Sequence, residues 1–167
     1  MTLNEVENIA IPESISDASR VWIYQSSRAL TDDETEKLNA LCDEFTKQWA
    51  AHGQNLVARH RIYFNRFLCL FVDESAHGAS GCSIDSSVRF IKNIEREMQI
   101  VLMNRTEVAF MIDGTVQIIP MNEIPEAISS GSIDANTTVF NNTVSFVKQM
   151  REAWITPASK TWVSRFF

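Results

Sequence analysis

The amino-acid sequence predicts an α+β fold: an antiparallel sheet in a split βαβ arrangement, helices on one face, and a C-terminal hairpin/helix extension. Three observations predict it. Between Arg20 and Ile119 the apolar segments run strand, helix, strand, strand, helix, strand. The two most apolar strand-like runs, RVWIYQS and RFLCLFVDE, come first and third, which are the central positions of the ferredoxin-like form of this order. Each helical segment carries a single apolar stripe, as expected of a helix lying on a sheet.

The elements follow in order. Residues 1–19 are polar, end in SISDAS and read as a loosely ordered N-terminal arm. RVWIYQS is β-branched and aromatic and too short for a helix, so it is a buried strand. Thr31 opens a helix, because Glu34 three residues later completes a capping box. Leu38, Leu41, Cys42, Phe45 and Trp49 form its stripe, and His52-Gly53 is expected to stop it, Gly being favoured just past a helix end. NLVARHRIYF and RFLCLFVDE then form a hairpin around Asn65. The first alternates, with Val57, Arg59, Arg61 and Tyr63 on one face and Leu56, Ala58, His60, Ile62 and Phe64 on the other, which suits a strand near the sheet edge. The second is apolar on both faces, which suits a central strand.

HGASGCSID, residues 77–85, follows as a turn of small residues. Ser83 is the expected N-cap of a second helix whose stripe is Ile84, Val88, Ile91, Ile94 and Met98. VAFMI-DG-TVQII is a hairpin, since Asp-Gly favours a type I′ turn. A short helix over MNEIPEAISS stops at Gly131, TTVF is a strand fragment, and TVSFVKQMREAW reads as a helix with Val144, Val147, Met150 or Arg151, and Trp154 on one side. Residues 20–167 are thus expected to be one α+β domain, with a sheet core over 20–119 and a helical extension and aromatic tail over 120–167.

Composition narrows the function. A net charge of −6 opposes sequence-independent binding to nucleic acid, because phosphate contacts require clustered Lys and Arg. Trp22, Tyr24, Phe67 and Phe71 lie on the strands that present aromatics in RNA-recognition modules, but NRFLCLFV lacks the glycine of that signature, and Arg59, Arg61 and Arg66 are too few for a patch. Cys42, Cys69 and Cys82 are odd in number and lack CxxC spacing, which argues against a disulfide scaffold or structural zinc. The N-terminus is acidic with no apolar stretch, and no window approaches 18 uninterrupted apolar residues. A cytoplasmic location is expected, with no membrane insertion.

Topology places the 77–85 turn at the sheet end where the first helix also stops, so His52, Asp73, Glu74, His77 and Cys82 are expected to share one rim around the mouth of a cleft. Three chemistries follow. The helix N-terminus over residues 80–85 can hold an anion or nucleotide phosphate through backbone N–H groups, with His52, Asp73, Gly78, Ser80, Gly81 and Ser83 lining the site. Cys82 can act as a nucleophile with His77 or His52 as base. His52, His77, Asp73 and Glu74 offer metal-ligating groups, though their spacing matches no metal signature and no metal site is assigned. The bland alternative for each is a capped helix, an inert thiol and surface histidines.

The segments RVWIYQSSR, WAAHGQ, VDESAHGASGCSIDSSVRFI, TTVFNN and SKTWVSRFF carry a resemblance. From about residue 20 onward the chain resembles a group of short Bacteroidota proteins in which the label "ABC transporter ATPase" is common. The residues do not support that activity. A phosphate-binding loop requires G-x-x-x-x-G-K-[ST], and GASGCS lacks both the spacing and the lysine. The resemblance implies a cytosolic role and carries over no established active site, and the residues themselves hold no ATP-binding motif.

The expectation is a non-enzymatic ligand-binding or protein-interaction domain, with a small enzyme using Cys82 as the alternative. The tail supplies the partner expectation. Trp162, Phe166 and Phe167 fall within six residues at the C-terminus, and large apolar groups at a terminus call for a docking surface, on the same chain, a second copy or a partner protein.

Overall fold

β-branched and aromatic runs become strands and the striped segments become helices in the computed structural model, which describes residues 10–167. The first nine residues of the expected arm lie outside the described residues. In chain order the elements are β1 (Arg20–Gln25), α1 (Asp32–Gln48), β2 (Ala50–Ala51), β3 (Gln54–Asn55), β4 (Val57–Tyr63), β5 (Phe67–Asp73) and α2 (Gly81–Met98). There follow β6 (Glu107–Ile112), β7 (Thr115–Pro120), α3 (Ile124–Ser129), β8 (Thr138–Phe140), α4 (Val147–Ala153) and β9 (Ile155–Pro157), with 3-10 turns at Met121–Glu123, Ala158–Lys160 and Trp162–Phe166. This is an α+β fold with antiparallel sheets and helices. The chain clusters into two compact units, one of Ile11–Met103 with Ser145–Lys148, the other built from Asn104–Val144 and Gln149–Phe167.

In the first unit the sheet order is β1-β5-β4, every neighbour antiparallel. β5 is central, and both its faces are buried: Leu68, Leu70 and Val72 on one, Phe67, Cys69 and Phe71 on the other. Leu38 and Cys42 of α1 share one apolar cluster with Ile91, Ile94 and Met98 of α2 and with Leu68, Leu70 and Val72. β4 is the outer strand, with Arg59 and Arg61 exposed. Upstream of β1, Pro12, Ile15 and Ser19 are buried.

Both helices depart from the expected boundaries. The Thr31–Glu34 capping box is present, and the Arg28 guanidinium donates to both Glu34 oxygens at 2.8 and 2.7 Å. But α1 ends at Gln48, ahead of His52-Gly53. Trp49 turns extended, which brings its ring into the core at 2% exposure. His52 and Gly53, with φ of 52° and 76°, instead form the tight turn between β2 and β3. α2 begins at Gly81, and its N-cap is Ser80, three residues ahead of the expected Ser83. Ser83 is instead the reciprocal partner in the capping box, and the buried face reads Ser83, Ser87, Ile91, Ile94 and Met98, with Ile84 and Val88 only half-buried.

The fourth expected strand does not join this sheet. β6 lies in the second unit in the order β7-β6-β8-β9. Val108, Ala109 and Phe110 are buried, so β6 needs a neighbour along each edge. The Asp113-Gly114 turn, with φ of 51° and 76°, brings β7 to one edge and β8 takes the other. β1 meets shorter segments on its outer side. Val21 N–H donates to the Ser145 carbonyl at 2.9 Å, Val147 N–H to that of Ser19 at 2.9 Å, and Ser27 N–H to that of Val101 at 3.0 Å.

That use of Ser145 and Phe146 explains a shorter last helix. TVSFVKQMREAW is helical only over Val147–Ala153, because Phe146 bridges Arg20 as extended chain. The apolar stripe is still buried, at 8% or less for Val144, Val147, Met150 and Trp154. In the second unit Val108, Phe110, Ile124, Ile133, Val139, Ala158 and Val163 form the core. Among the described residues no helix is long and apolar enough to cross a membrane.

Candidate functional site

The loop after β5 is built from its own polar groups. Asp73 lies opposite Val57 at the end of the ladder, and its carboxylate accepts from Ser75 N–H at 3.0 Å. Hydrogen bonds from Ser75 hold Asp73 below its ordinary carboxylate range. Glu74 reaches across the loop. Its Oε2 accepts from Ala79 N–H at 2.9 Å, and its Oε1 stands 3.6 Å from Arg20 Nε. The Arg20 guanidinium lies 4.6 Å from the centre of the Trp22 ring. A Cβ at Gly78 would come within 2.9 Å of Glu74 Oε2, so the loop has small residues where the carboxylate passes. Ser80 and Ser83 close the helix start: Ser83 N–H donates to Ser80 Oγ at 3.1 Å, and Ser80 N–H to Ser83 Oγ at 2.7 Å.

The end of α1 is fastened to this helix start. Trp49 Nε1–H donates to the Ser83 carbonyl at 2.8 Å across 34 residues of sequence. Trp49 meets Trp22 edge-on at 5.6 Å and Phe45 at 5.1 Å, and Phe45 stacks on Phe90 at 4.1 Å. This brings the β2–β3 turn, which carries His52, towards the first turn of α2, which carries Gly81 and Cys82. His52 and Cys82 are exposed and His77 is half-buried. No hydrogen bond or ion pair joins Cys82 to either histidine. Among the described residues no three His, Cys, Asp or Glu side chains gather as a metal-binding group. The carboxylates of Asp73 and Glu74 are already engaged by Ser75, Ala79 and Arg20.

Cys42 and Cys69 are buried. Burial, with Asp43 adding to it, pushes the Cys42 thiol up to about 12, and burial alone raises Cys69.

One ionisable group was not among the sequence candidates. The side chain of His60 is 9% exposed, with Nε2 3.1 Å from Asn39 Oδ1 and Nδ1 3.7 Å from Asp43 Oδ1. Burial draws its pKa below 6.5; Asp43 opposes that shift and Arg61 adds to it. The signal was legible, since strand alternation places His60 on the same side as Ala58 and Ile62.

In the second unit the aromatic tail docks on its own core. Thr161 Oγ1 accepts from Val163 N–H at 3.1 Å, and Val163 is 1% exposed. Trp162 and Phe166 pack half-exposed on that core with ring centres 6.3 Å apart. The Arg165 guanidinium stands over both rings, at 5.1 and 4.9 Å. Its Nη2 is 3.4 Å from Met121 Sδ, while Phe167 remains 43% exposed. No family model, no curated protein and no solved structure matches this chain.

Proposed function

We propose that this chain is a cytosolic, non-enzymatic protein-interaction module whose first unit is a ferredoxin-like split βαβ sheet lacking its fourth strand, and whose partner surface is the C-terminal strap Trp162–Phe167. The observation that carries this reading is the state of the strap. Val163 anchors it in the core, yet Trp162 and Phe166 stay half-exposed beneath Arg165, and Phe167 is exposed. Tryptophan, aromatic and arginine side chains clustered on a rigid base are the composition of interface hot spots. The closure of the 74–80 loop on its own groups adds support, since it ties up the Asp73 and Glu74 carboxylates and the Ser80 and Ser83 N–H groups that a metal-binding or anion-binding reading would use. The test compares the chain with its Arg165→Ala/Phe167→Ala variant by affinity capture followed by binding to the purified captured partner, with sedimentation to detect a second copy. Loss of that binding at an unchanged melting temperature is the expected result. Equal binding by both proteins rejects the strap.

A second reading rests on Cys82, which is exposed in the first turn of an 18-residue helix. A helix N-terminus is a favourable place for an anion. Alkylation of the native protein tests the nucleophile: a rate no greater than that of a simple thiol at neutral pH removes it. Thermal stabilisation by inorganic phosphate or nucleotides tests the anion site.

A further inference from the structure

We propose that His60 makes the joint between α1 and β4 acid-sensitive, holding the helix on the sheet while the ring is neutral and loosening it when the ring takes a proton. The ring is the polar centre of that joint. It projects from β4 into the space under α1 and meets Asn39 and Asp43, one helical turn apart on the facing side of the helix. The charged groups acting on it are Asp43 from α1 and Arg61 from β4 itself, while β5 opposes it with Leu70.

The hydrogen positions follow from these neighbours. A neutral ring has one N–H, and Nε2–H donates to Asn39 Oδ1 at 3.1 Å. Nδ1 then carries a lone pair that faces the Asp43 carboxylate at 3.7 Å. An added proton binds Nδ1 and has Asp43 as its counter-charge. That carboxylate is 63% exposed, so water screens much of its attraction. The ring itself is almost out of water, and burial outweighs the carboxylate, with Arg61 adding to the penalty. The folded pKa therefore lies below the unfolded 6.5. The stabilisation is complete above 6.5 and is lost as pH falls through 6.5 towards the folded value. Asn39 and Asp43, both on α1, are the groups that must part from β4 for the ring to be wetted, so the loss is expected in α1 first.

The experiment uses the full chain. The His60 ring is titrated by NMR, and backbone amide exchange is followed at about pH 7 and about pH 5.5, corrected for intrinsic rates. The proposal expects a His60 midpoint below 6.5 and an acid-induced rise in exchange for α1 that exceeds the rise for α2. His60→Gln should abolish that difference, whereas His52→Gln and His77→Gln should keep it. Should His60→Gln fail to fold, Asp43→Asn serves instead and should move the His60 midpoint further down. A midpoint at or above 6.5, equal loosening of α1 and α2, α1 loosening that persists in His60→Gln, or an unmoved midpoint in Asp43→Asn would each overturn it.

Discussion

Gly78 and Glu74 act as one unit, and the consequence is a measurable coupling. Alanine at position 78 brings its methyl against Glu74 Oε2, so the carboxylate must shift, which loosens its hold on Ala79 N–H and Arg20. Gly78→Ala is expected to cost about 1 kcal/mol by chemical denaturation. In a Glu74→Ala background the same change should cost almost nothing, and an equal cost in both backgrounds would separate the two residues. Glu34 gives a residue-scale pH effect. Hydrogen bonds from Arg28 and from Thr31 hold its pKa at about 2, against an ordinary 4.5. Its contribution is therefore present above 4.5 and lost as pH falls towards 2. Glu34→Gln should flatten the acid limb of stability over that range, and a carboxyl carbon titrating near 4.5 in the folded chain would contradict it. The Glu34 box was visible in the spacing of T-D-D-E. The Glu74 bridge was not, because a carboxylate reaching five residues along an irregular loop leaves no periodic mark.

The ends of α1 and α2 are tied by one indole. Trp49→Phe keeps an aromatic body against Trp22 and Phe45 but removes the Nε1–H that reaches Ser83. Ser86 Oγ also donates to that carbonyl, at 2.8 Å, so the acceptor is not orphaned. The expected loss is about 0.5–1 kcal/mol, read from the denaturation midpoint, and a loss several times larger would mean that the ring packing also failed. Trp49 also shows why element boundaries were less legible than elements. Its position in the α1 stripe matched a longer helix, and only the pull of the core ring takes it out. The α2 start is ambiguous in the sequence for a related reason. Ser80 and Ser83 both fit a cap, and only the hydrogen-bond partners distinguish the one that begins the helix. The alternation of β4 and the two-faced apolarity of β5 were legible because each strand's neighbours on both faces leave a residue-by-residue record.

For the whole molecule, the strand count was the hard part to read. Two segments of three residues, β8 and β9, complete a second sheet, and neither is long enough to show alternation. Without them β6 had no visible destination except the edge of β1. The tail was legible as a docked element, but its own unit as the docking site emerged only with the fold. Removal of the chain after Ser159 takes away the buried Thr161 and Val163 together with the two half-exposed rings. The expected loss is at least about 3 kcal/mol, seen as a lower melting temperature. Arg165→Ala/Phe167→Ala should stay within about 0.5 kcal/mol of the parent chain. If truncation leaves melting unchanged, the strap contributes nothing to its unit.

β7 has a consequence for the protein as a solute. It is one of the two edge strands of its sheet among the described residues, and TVQIIP carries no charge along its length. Proline at its end is the one local guard against edge-to-edge pairing. Copies of the chain are otherwise kept apart by their shared net charge of −6, a colloidal repulsion that fades as pH approaches 5.1. Concentrated solutions should therefore turn cloudy most readily near that pH, with a rise in intermolecular β signal in the infrared amide band. Lysine in place of the exposed Gln117 would put a charge on the edge itself, and Gln117→Lys should stay clear at concentrations where the parent precipitates. Equal turbidity in the two proteins would assign the precipitation to another surface.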